Sequence, residues 1–301
     1  MSNRNKGMIL VLGTALISGV SIFVNGYSVK MINPSAFAFV KNALVAMALL
    51  AVIIGISRLK ELSKLTVRQW GGLGLIGLIG GSIPFLLFFN GLAITGSAAG
   101  SFIHKSMFLY VAIAAVIFLK EKLNPKLLLA AVILLFSNLL ILQSDMANPG
   151  IGHLLVLGAT LLWAVENILS KKLLGKISGN TVAFGRMFFG SIFLLAYLVF
   201  TNQLGPVAAM TSQQWLWTAI PSVLLLGFVL TWYNGLKHIS VSLATVILLL
   251  GSPITTLLNF AVLQKPVSGL EWAGAALLIA GCGAWYFFTP KFRNSRQERL
   301  S

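Results

Sequence analysis

The stretch Leu10-Val11-Leu12-Gly13 recurs as Leu155-Val156-Leu157-Gly158, 145 residues later in the chain. Leucine, valine and glycine are common here, so one such match is weak by itself. Three further matches follow in the same order, at the same spacing or one residue less: Ala38-Phe39-Val40-Lys41 with Ala183-Phe184-Gly185-Arg186, Gln69-Trp70 with Gln214-Trp215, and Asn90-Gly91-Leu92 with Asn234-Gly235-Leu236. The ordered series indicates an internal duplication, with one unit in residues 1–146 and a second in residues 147–290.

The composition is that of a membrane protein. Of the 301 residues, 57% are hydrophobic and only 9% are charged, whereas a soluble domain carries about 25% charged residues. Apolar stretches of about 20 residues, the length that crosses a bilayer as a helix, recur from end to end. The pattern predicts an all-α membrane protein with ten transmembrane helices, at about 7–29, 35–57, 69–92, 97–119, 125–143, 151–174, 180–201, 213–236, 241–263 and 269–289.

The positive charges are distributed unequally between the loops. If the N-terminus is cytoplasmic, 17 of the 22 Lys and Arg residues fall in cytoplasmic segments and two, Lys30 and Lys265, fall outside. Cytoplasmic loops typically carry such an excess, and one missed helix would destroy it. We therefore expect a multi-pass protein of the cell (inner) membrane, with both termini cytoplasmic and a basic cytoplasmic tail at 291–301. The asymmetry also explains the net charge of +16 without nucleic acid as a partner.

Each unit contains five predicted helices, and five is an odd number. The second unit must then enter the membrane from the opposite side to the first. Two inverted repeats of similar structure are an architecture of transporters, because exchanging the shapes of the two halves opens a central cavity to the other side. The sequence thus predicts two inverted five-helix repeats around a central cavity.

A more specific pattern lies between residues 90 and 122. It reads Asn90-Gly91-Leu92-Ala93, then Gly96-Ser97-Ala98-Ala99-Gly100, then Phe118-Leu119-Lys120-Glu121-Lys122. The second unit repeats it as Asn234-Gly235-Leu236, Ser240 to Ala244, Ser252-Pro253-Ile254 and Val262-Leu263-Gln264-Lys265. With this pattern the chain resembles the EamA family of the drug/metabolite transporter superfamily. Lys265 stands where the family usually has a glutamate, so a shared role for that position does not carry over.

The resemblance implies ten helices around a cavity that is lined mainly by helices 1, 3, 4, 6, 8 and 9. Members of the family move amino acids and other metabolites, and many are exporters. We therefore expect a secondary active transporter for small polar metabolites, in the first place amino acids or related compounds, that works by alternating access and is a candidate exporter. The alternative is a multidrug or organic-anion exporter of the same fold; a channel or an intramembrane enzyme is less favoured.

An enzyme is disfavoured because the six acidic residues and three histidines are scattered, whereas catalytic metal sites need clustered ligands. The single cysteine, Cys282, excludes an internal disulfide and a cysteine-based metal site. No cofactor or metal is expected, and neither is a nucleotide-binding loop. The expected partners are a small-molecule substrate, membrane lipid and, as a coupling ion, the proton. A monomer would be sufficient for transport.

Glu166 is the acidic residue that lies well inside a predicted helix, and it shares one helix face with Trp163, Asn167 and Ser170. A charge at membrane depth is costly, so it is a candidate for function. Glu166 either binds a substrate ammonium group or a proton, or it forms a structural charge pair with Lys105 or Arg186.

His104 and Lys105 are adjacent in the fourth helix, and neighbouring residues point about 100° apart. We expect only one of them to face the cavity. Lys105 could pair with Glu166 or hold an anionic substrate group. His104 could relay a proton, or it could be a hydrogen-bonded packing residue.

Lys41 and Arg186 occupy equivalent repeat positions on helices 2 and 7. The resemblance places these helices at the periphery, so snorkelling to an interface or capping a neighbouring helix is the expected role. We rank both residues second as site candidates.

The remaining candidates are aromatic, amide and proline residues. Trp232 and Tyr233 lie beside polar residues and are candidates for the cavity, together with the repeated Asn90 and Asn234. Pro253 is the candidate hinge. The small-residue runs at 71–74 and 77–81 are interpreted as close-packing surfaces between helices.

Overall fold

The computed structural model describes residues 2–56, 59–121 and 150–264, together with a few positions between 269 and 280. The first half contains α1 (Asn3–Met31), α2 (Pro34–Gly55), α3 (Leu59–Ser63), α4 (Val67–Ile76), a π-helical segment (Gly77–Ser82), α5 (Ile83–Lys105) and α6 (Met107–Leu119). The second half contains α7 (Ile151–Leu174), α8 (Gly179–Phe200), α9 (Gly205–Ala208), α10 (Ser212–Leu236), α11 (Val241–Leu248) and α12 (Gly251–Leu263). The predicted span 125–143 and the tail 291–301 lie outside the described residues, as does most of 269–289.

Seven helical stretches within the described ranges are long and apolar enough to cross a membrane. One of them, Val67–Leu119, has 53 residues, which corresponds to about 80 Å of helix against about 30 Å of hydrocarbon. Gly96 interrupts it with φ +79° and ψ 173°, a backbone conformation outside the helical region that glycine adopts without steric cost. The interruption separates the two spans predicted at 69–92 and 97–119. The total of ten spans stays a prediction.

The duplication is visible in the ends of the helices. Thr66 and Gln69 form a capping box at the start of α4, and Thr211 and Gln214, 145 residues later, form the same box at the start of α10. These side chains satisfy the unpaired N–H groups of the first helical turn. The two pairs of residues therefore set the same start for the equivalent helix in both repeats.

The ends of α6 and α12 are equivalent in the same way. Both helices have 13 residues, and each is terminated by a residue in the left-handed conformation, Lys120 with φ 54° and Gln264 with φ 52°. The packing follows the same pairing, since α1 lies along α10 and α7 lies along α5. Residues from both repeats therefore meet in the middle of the molecule.

The two small-residue runs differ in their packing. A Cβ atom added to Gly81 would meet the backbone of Arg186 and Gly190, so that run is a close helix contact, as predicted. By contrast, a Cβ atom on Gly71 or Gly74 would meet nothing within 4 Å. The prediction of close packing was therefore wrong for these two glycines.

Candidate substrate site

A cavity of about 70 Å³ lies between the two repeats. Its polar lining comes from α1, α2, α5, α7 and α8, and consists of Ser18, Ser21, Asn25, Lys41, His104, Glu166, Asn167 and Arg186. Its apolar lining is mainly aromatic and consists of Phe85, Phe88, Phe89, Trp163, Phe228 and Trp232, with Ile22, Met107, Leu225 and Leu248. The mixture of apolar walls with a few convergent polar groups is typical of a small-molecule site.

Glu166 is buried in the wall of the cavity, with 2% of its surface exposed. The Tyr233 hydroxyl donates to its Oε1 at 2.7 Å, and the Ser170 hydroxyl donates to the same oxygen. Within the described residues Glu166 forms no ion pair with Lys105 or with Arg186. The sequence left open whether Glu166 binds a substrate group or a proton, or forms a structural charge pair. The charge pair is not present among the described residues, and two hydroxyl groups hold the carboxyl in place.

Arg186 lies in the cavity rather than at a membrane interface. It is 5% exposed, its Nη2 donates to the Gly80 carbonyl at 2.9 Å, and its Nε has no partner within the described residues. Gly80 belongs to the π-helical segment, and its carbonyl also accepts from Trp163 Nε1 at 2.9 Å. The guanidinium lies over the ring of Phe85. Snorkelling was therefore the wrong expectation, because a π-helical turn and an aromatic ring hold the side chain inside.

Lys41 is the equivalent cation of the first repeat, and it too is buried in the cavity, with 1% exposure. Its Nζ donates to Asn25 Oδ1 at 2.8 Å and lies 4.9 Å from the ring centroid of Phe89. Asn25 in turn donates to Ser21 Oγ at 3.3 Å. Both cations, which the sequence analysis ranked second, line the cavity from helices 2 and 7, and their part in the site stays a prediction.

His104 faces the cavity, and Lys105 does not belong to its lining. The imidazole packs against Trp163 at a centroid distance of 5.0 Å, and its Nδ1 has no hydrogen-bond partner within the described residues. Lys105 is buried as well, but its Nζ donates to Ser18 Oγ at 2.7 Å. Of the two adjacent residues, only one of which was expected to face the cavity, His104 is the one in its lining.

Asn167 and the two aromatic candidates of α10 join α7 to α10, within the second repeat, at the cavity wall. Trp232 Nε1 donates to Asn167 Oδ1 at 3.0 Å, and Asn167 Nδ2 donates to the Trp163 carbonyl at 2.9 Å. Trp232 lines the cavity, whereas Tyr233 lies behind the lining, where it bonds to Glu166 and its ring lies 6.0 Å from the Arg186 guanidinium carbon. Trp163, Asn167 and Trp232 thus form a fixed polar and aromatic wall.

Asn90 and Asn234 lie outside the cavity lining, contrary to the prediction. Asn90 Nδ2 donates to the Leu86 carbonyl of its own helix at 2.8 Å. Asn234 Nδ2 donates to Asn180 Oδ1 at 2.6 Å and to the Leu230 carbonyl. Their repetition in the sequence therefore reflects helix packing. Pro253 lies in the first turn of α12, just after the break between α11 and α12, and its role as a hinge stays a prediction.

The sequence reasoning missed Ser18, Ser21 and Asn25 on α1. A signal was present, because Ser21 and Asn25 lie 145 residues before Glu166 and Ser170. The repeat offset would have found them as the counterparts of the second-repeat candidates. It also shows that an uncharged hydroxyl stands in the first repeat where the second has a carboxyl group.

Glu121 was part of the repeat pattern without an assigned role, and the structure gives it one. Its carboxylate accepts from the backbone N–H of Val241 at 2.9 Å and from the Ser242 hydroxyl at 2.7 Å. It thereby caps α11 from the end of α6, 120 residues away in the chain. At the equivalent contact between the start of the 97–119 span and α12, Ser97 Oγ donates to Asn259 Oδ1 at 3.0 Å instead.

Comparison with known proteins gives the chain its family. The model of the EamA-like transporter family matches residues 5–143 and again residues 150–286. The chain is 26% identical to an uncharacterized transporter, YyaM, of Bacillus subtilis (strain 168), over 97% of this chain and 98% of that protein. It is also 26% identical to a probable terminal-alkyne amino-acid exporter of Streptantibioticus cattleyicolor, over 90% of this chain and 89% of that one.

A solved crystal structure shares the fold, with a TM-score of 0.71 and 17% sequence identity over 94% of this chain and 97% of that one. The family and the relatives are transporters and not enzymes. The family model covers both halves of the chain, the repeats begin and end their helices alike, and the described helices are apolar enough to cross a membrane. The chain is a multi-pass membrane protein, and it belongs to the EamA-like transporter family.

Proposed function

We propose that the protein is a secondary active transporter that carries amino acids or related small metabolites across the cell membrane by alternating access. The observation that carries the proposal is a buried cavity in which Lys41, Arg186 and Glu166 are held by neutral partners and not by each other. A charge near the bilayer centre costs about 2.5–3.5 kcal/mol on insertion scales. Three such groups without mutual neutralisation are what a site for a charged solute requires.

The arrangement of the charges favours a zwitterion. Lys41 and Arg186 supply two cations for a carboxylate, and Glu166 supplies the acceptor for an ammonium group. The aromatic walls offer room for an apolar side chain. The excess of one cation favours the second candidate, an organic anion, and a substrate screen separates the two.

Alternating access follows from two inverted five-helix repeats, ten helices in total, that share this cavity. Under the orientation expected from the loop charges, with both termini cytoplasmic, Glu121 joins the cytoplasmic ends of α6 and α11. Its bonds to Val241 and Ser242 then close that side, while the opposite side has the neutral contact of Ser97 with Asn259. The cavity forms within one chain, so a monomer suffices.

Export and proton coupling complete the proposal. A relative of 26% identity bears the name of a probable amino-acid exporter, which supports export. Glu166 is the candidate for the proton site, because its carboxyl is buried in the cavity wall and has hydroxyl partners that suit either protonation state.

A transport assay in proteoliposomes tests the proposal. The protein is reconstituted and supplied with amino acids, organic acids or quaternary amines, with and without a pH gradient. We expect saturable uptake of at least one amino acid, increased by the gradient. Uptake of organic acids alone would establish the second candidate, and transport confined to quaternary amines would contradict both.

A further inference from the structure

A second groove, of about 470 Å³, opens between α4 and α7 at the ends that carry positive charge. Three cations, Arg68, Lys172 and Lys176, stand at its rim, and all three are exposed. Apolar side chains form the rest of the lining, among them Leu75, Ile76, Leu169 and Leu173. From Arg68 to Leu75 the helix rises about 10 Å. The groove therefore has a cationic rim and an apolar interior that extends away from it.

Gly72 of α4 helps to keep this groove open. It lines the groove, and within the described residues a Cβ atom there would meet only the end of the Leu173 side chain, at 3.6 Å. Glycine lowers helix stability relative to alanine. Close helix contacts justify that cost at Gly81, whereas at Gly72 the missing side chain leaves space in the groove.

The rim cations have no anionic partner among the residues that the structure describes. Within the described residues, none of Arg68, Lys172 and Lys176 forms an ion pair or a side-chain hydrogen bond, and Lys172 only lies near the Phe118 ring, at 5.9 Å. Glu61, the acidic residue nearest to Arg68 along the chain, accepts from the Ser178 backbone N–H and does not line the groove. The rim thus offers three cationic donors to one anion.

We propose that this groove binds an anionic phospholipid, with the phosphate at Arg68, Lys172 and Lys176 and one acyl chain along Gly72, Leu75 and Leu169. Basic clefts between transmembrane helices on the cytoplasmic side suit anionic headgroups. The apolar interior distinguishes a lipid from a free phosphate, because a soluble anion would leave that surface uncovered. The bound lipid connects α4 of the first repeat with α7 of the second, and it stabilises their contact.

Native mass spectrometry of the purified full-length protein tests the proposal. The protein is titrated with phosphatidylglycerol, phosphatidylcholine or inorganic phosphate. We expect phosphatidylglycerol to bind at least tenfold more tightly than phosphatidylcholine, and the Arg68→Gln/Lys172→Gln/Lys176→Gln variant to lose about 100-fold of that affinity. The matched variant Lys60→Gln/Lys64→Gln/Lys120→Gln removes three other exposed cations and should bind the lipid as the wild type does.

Filling the groove provides an independent variant. Gly72→Leu places a side chain in the acyl path, whereas Gly71→Leu, on the same helix, points away from the groove lining. We expect Gly72→Leu to bind phosphatidylglycerol at least tenfold more weakly than the wild type. Gly71→Leu should bind it with unchanged affinity. Equal affinity for both lipids, equal loss in both cation variants, or inorganic phosphate that displaces the lipid would overturn the proposal.

Discussion

The two repeats place equivalent residues around one cavity, and some of these residue pairs have the same charge while others differ. Each repeat contributes a cation over an aromatic ring, Lys41 over Phe89 and Arg186 over Phe85. The carboxyl group is present on one side only, since Glu166 of the second repeat corresponds to Ser21 of the first. Under the proposed function, the similar backbones would support two conformations of similar energy, and the unequal side chains would orient the substrate and supply a site for a proton.

The cations common to both repeats should give the largest effect. We expect Lys41→Gln and Arg186→Gln each to reduce transport efficiency roughly 100-fold, because truncating one partner of a buried charge pair costs about 2–5 kcal/mol. Initial uptake rates in proteoliposomes measure this. Asn90→Ser is the matched control, since Asn90 lies outside the cavity lining. If this variant loses as much transport as the cation variants, the loss does not depend on the cavity.

The carboxyl found in only one repeat should affect coupling more than binding. We expect Glu166→Gln to keep substrate exchange at equal pH within about tenfold of the wild type, since glutamine still accepts from Tyr233 and Ser170, and to abolish the stimulation by a pH gradient. Uptake with and without the gradient separates these effects. A mutant that the gradient still stimulates would rule out Glu166 as the proton site.

The capping contact of Glu121, for which the described residues show a neutral contact at the opposite end, should affect the conformational equilibrium. Hydrogen bonds that involve a charged group contribute about 1.5–3 kcal/mol, so Glu121→Gln should raise exposure of the cavity to the cytoplasm about tenfold. The rate at which a Ser21→Cys variant reacts with a membrane-impermeant thiol reagent in inside-out vesicles measures it.

Lys120→Gln is the control for this measurement, because Gln264 already adopts the equivalent left-handed conformation. The labelling rate of that variant should stay unchanged. If Glu121→Gln leaves the rate unchanged as well, the carboxylate does not close the cytoplasmic side.

The smallest effect is expected where the first repeat has His104 and the second has Leu248. His104→Leu makes the two positions alike and removes a nitrogen without a partner. The bond lost would be one from this nitrogen to the substrate. A neutral hydrogen bond contributes about 0.5–1.5 kcal/mol, so the apparent KM should rise about threefold to tenfold while the maximal rate stays similar. A loss of the maximal rate with unchanged KM would instead indicate a role in proton transfer.

The spans and the duplication could be predicted from the sequence because they depend on properties local to the chain. A bilayer requires about 20 apolar residues per helix, and capping residues such as Thr66 and Thr211 act within one turn. The eight predicted spans that fall in the described ranges therefore coincide with helices.

The cavity was predicted less completely, because the direction in which a buried side chain points depends on helix rotation and on distant partners. For this reason Lys41 and Arg186 were expected at the periphery and line the cavity, and Asn90 and Asn234 were expected in a cavity whose lining does not include them. The cap on α11 by Glu121 joins residues 120 positions apart, and a sequence pattern alone does not bring them together.

The most direct measurement compares the uptake of an amino acid with that of its decarboxylated amine, in proteoliposomes of the wild type and of Lys41→Gln/Arg186→Gln. If Lys41 and Arg186 hold the substrate carboxylate, the wild type carries the amino acid at least tenfold better than the amine, and the double variant loses that preference. Equal uptake of the two compounds by the wild type, or a preference that survives in the double variant, would contradict the assignment of the cavity.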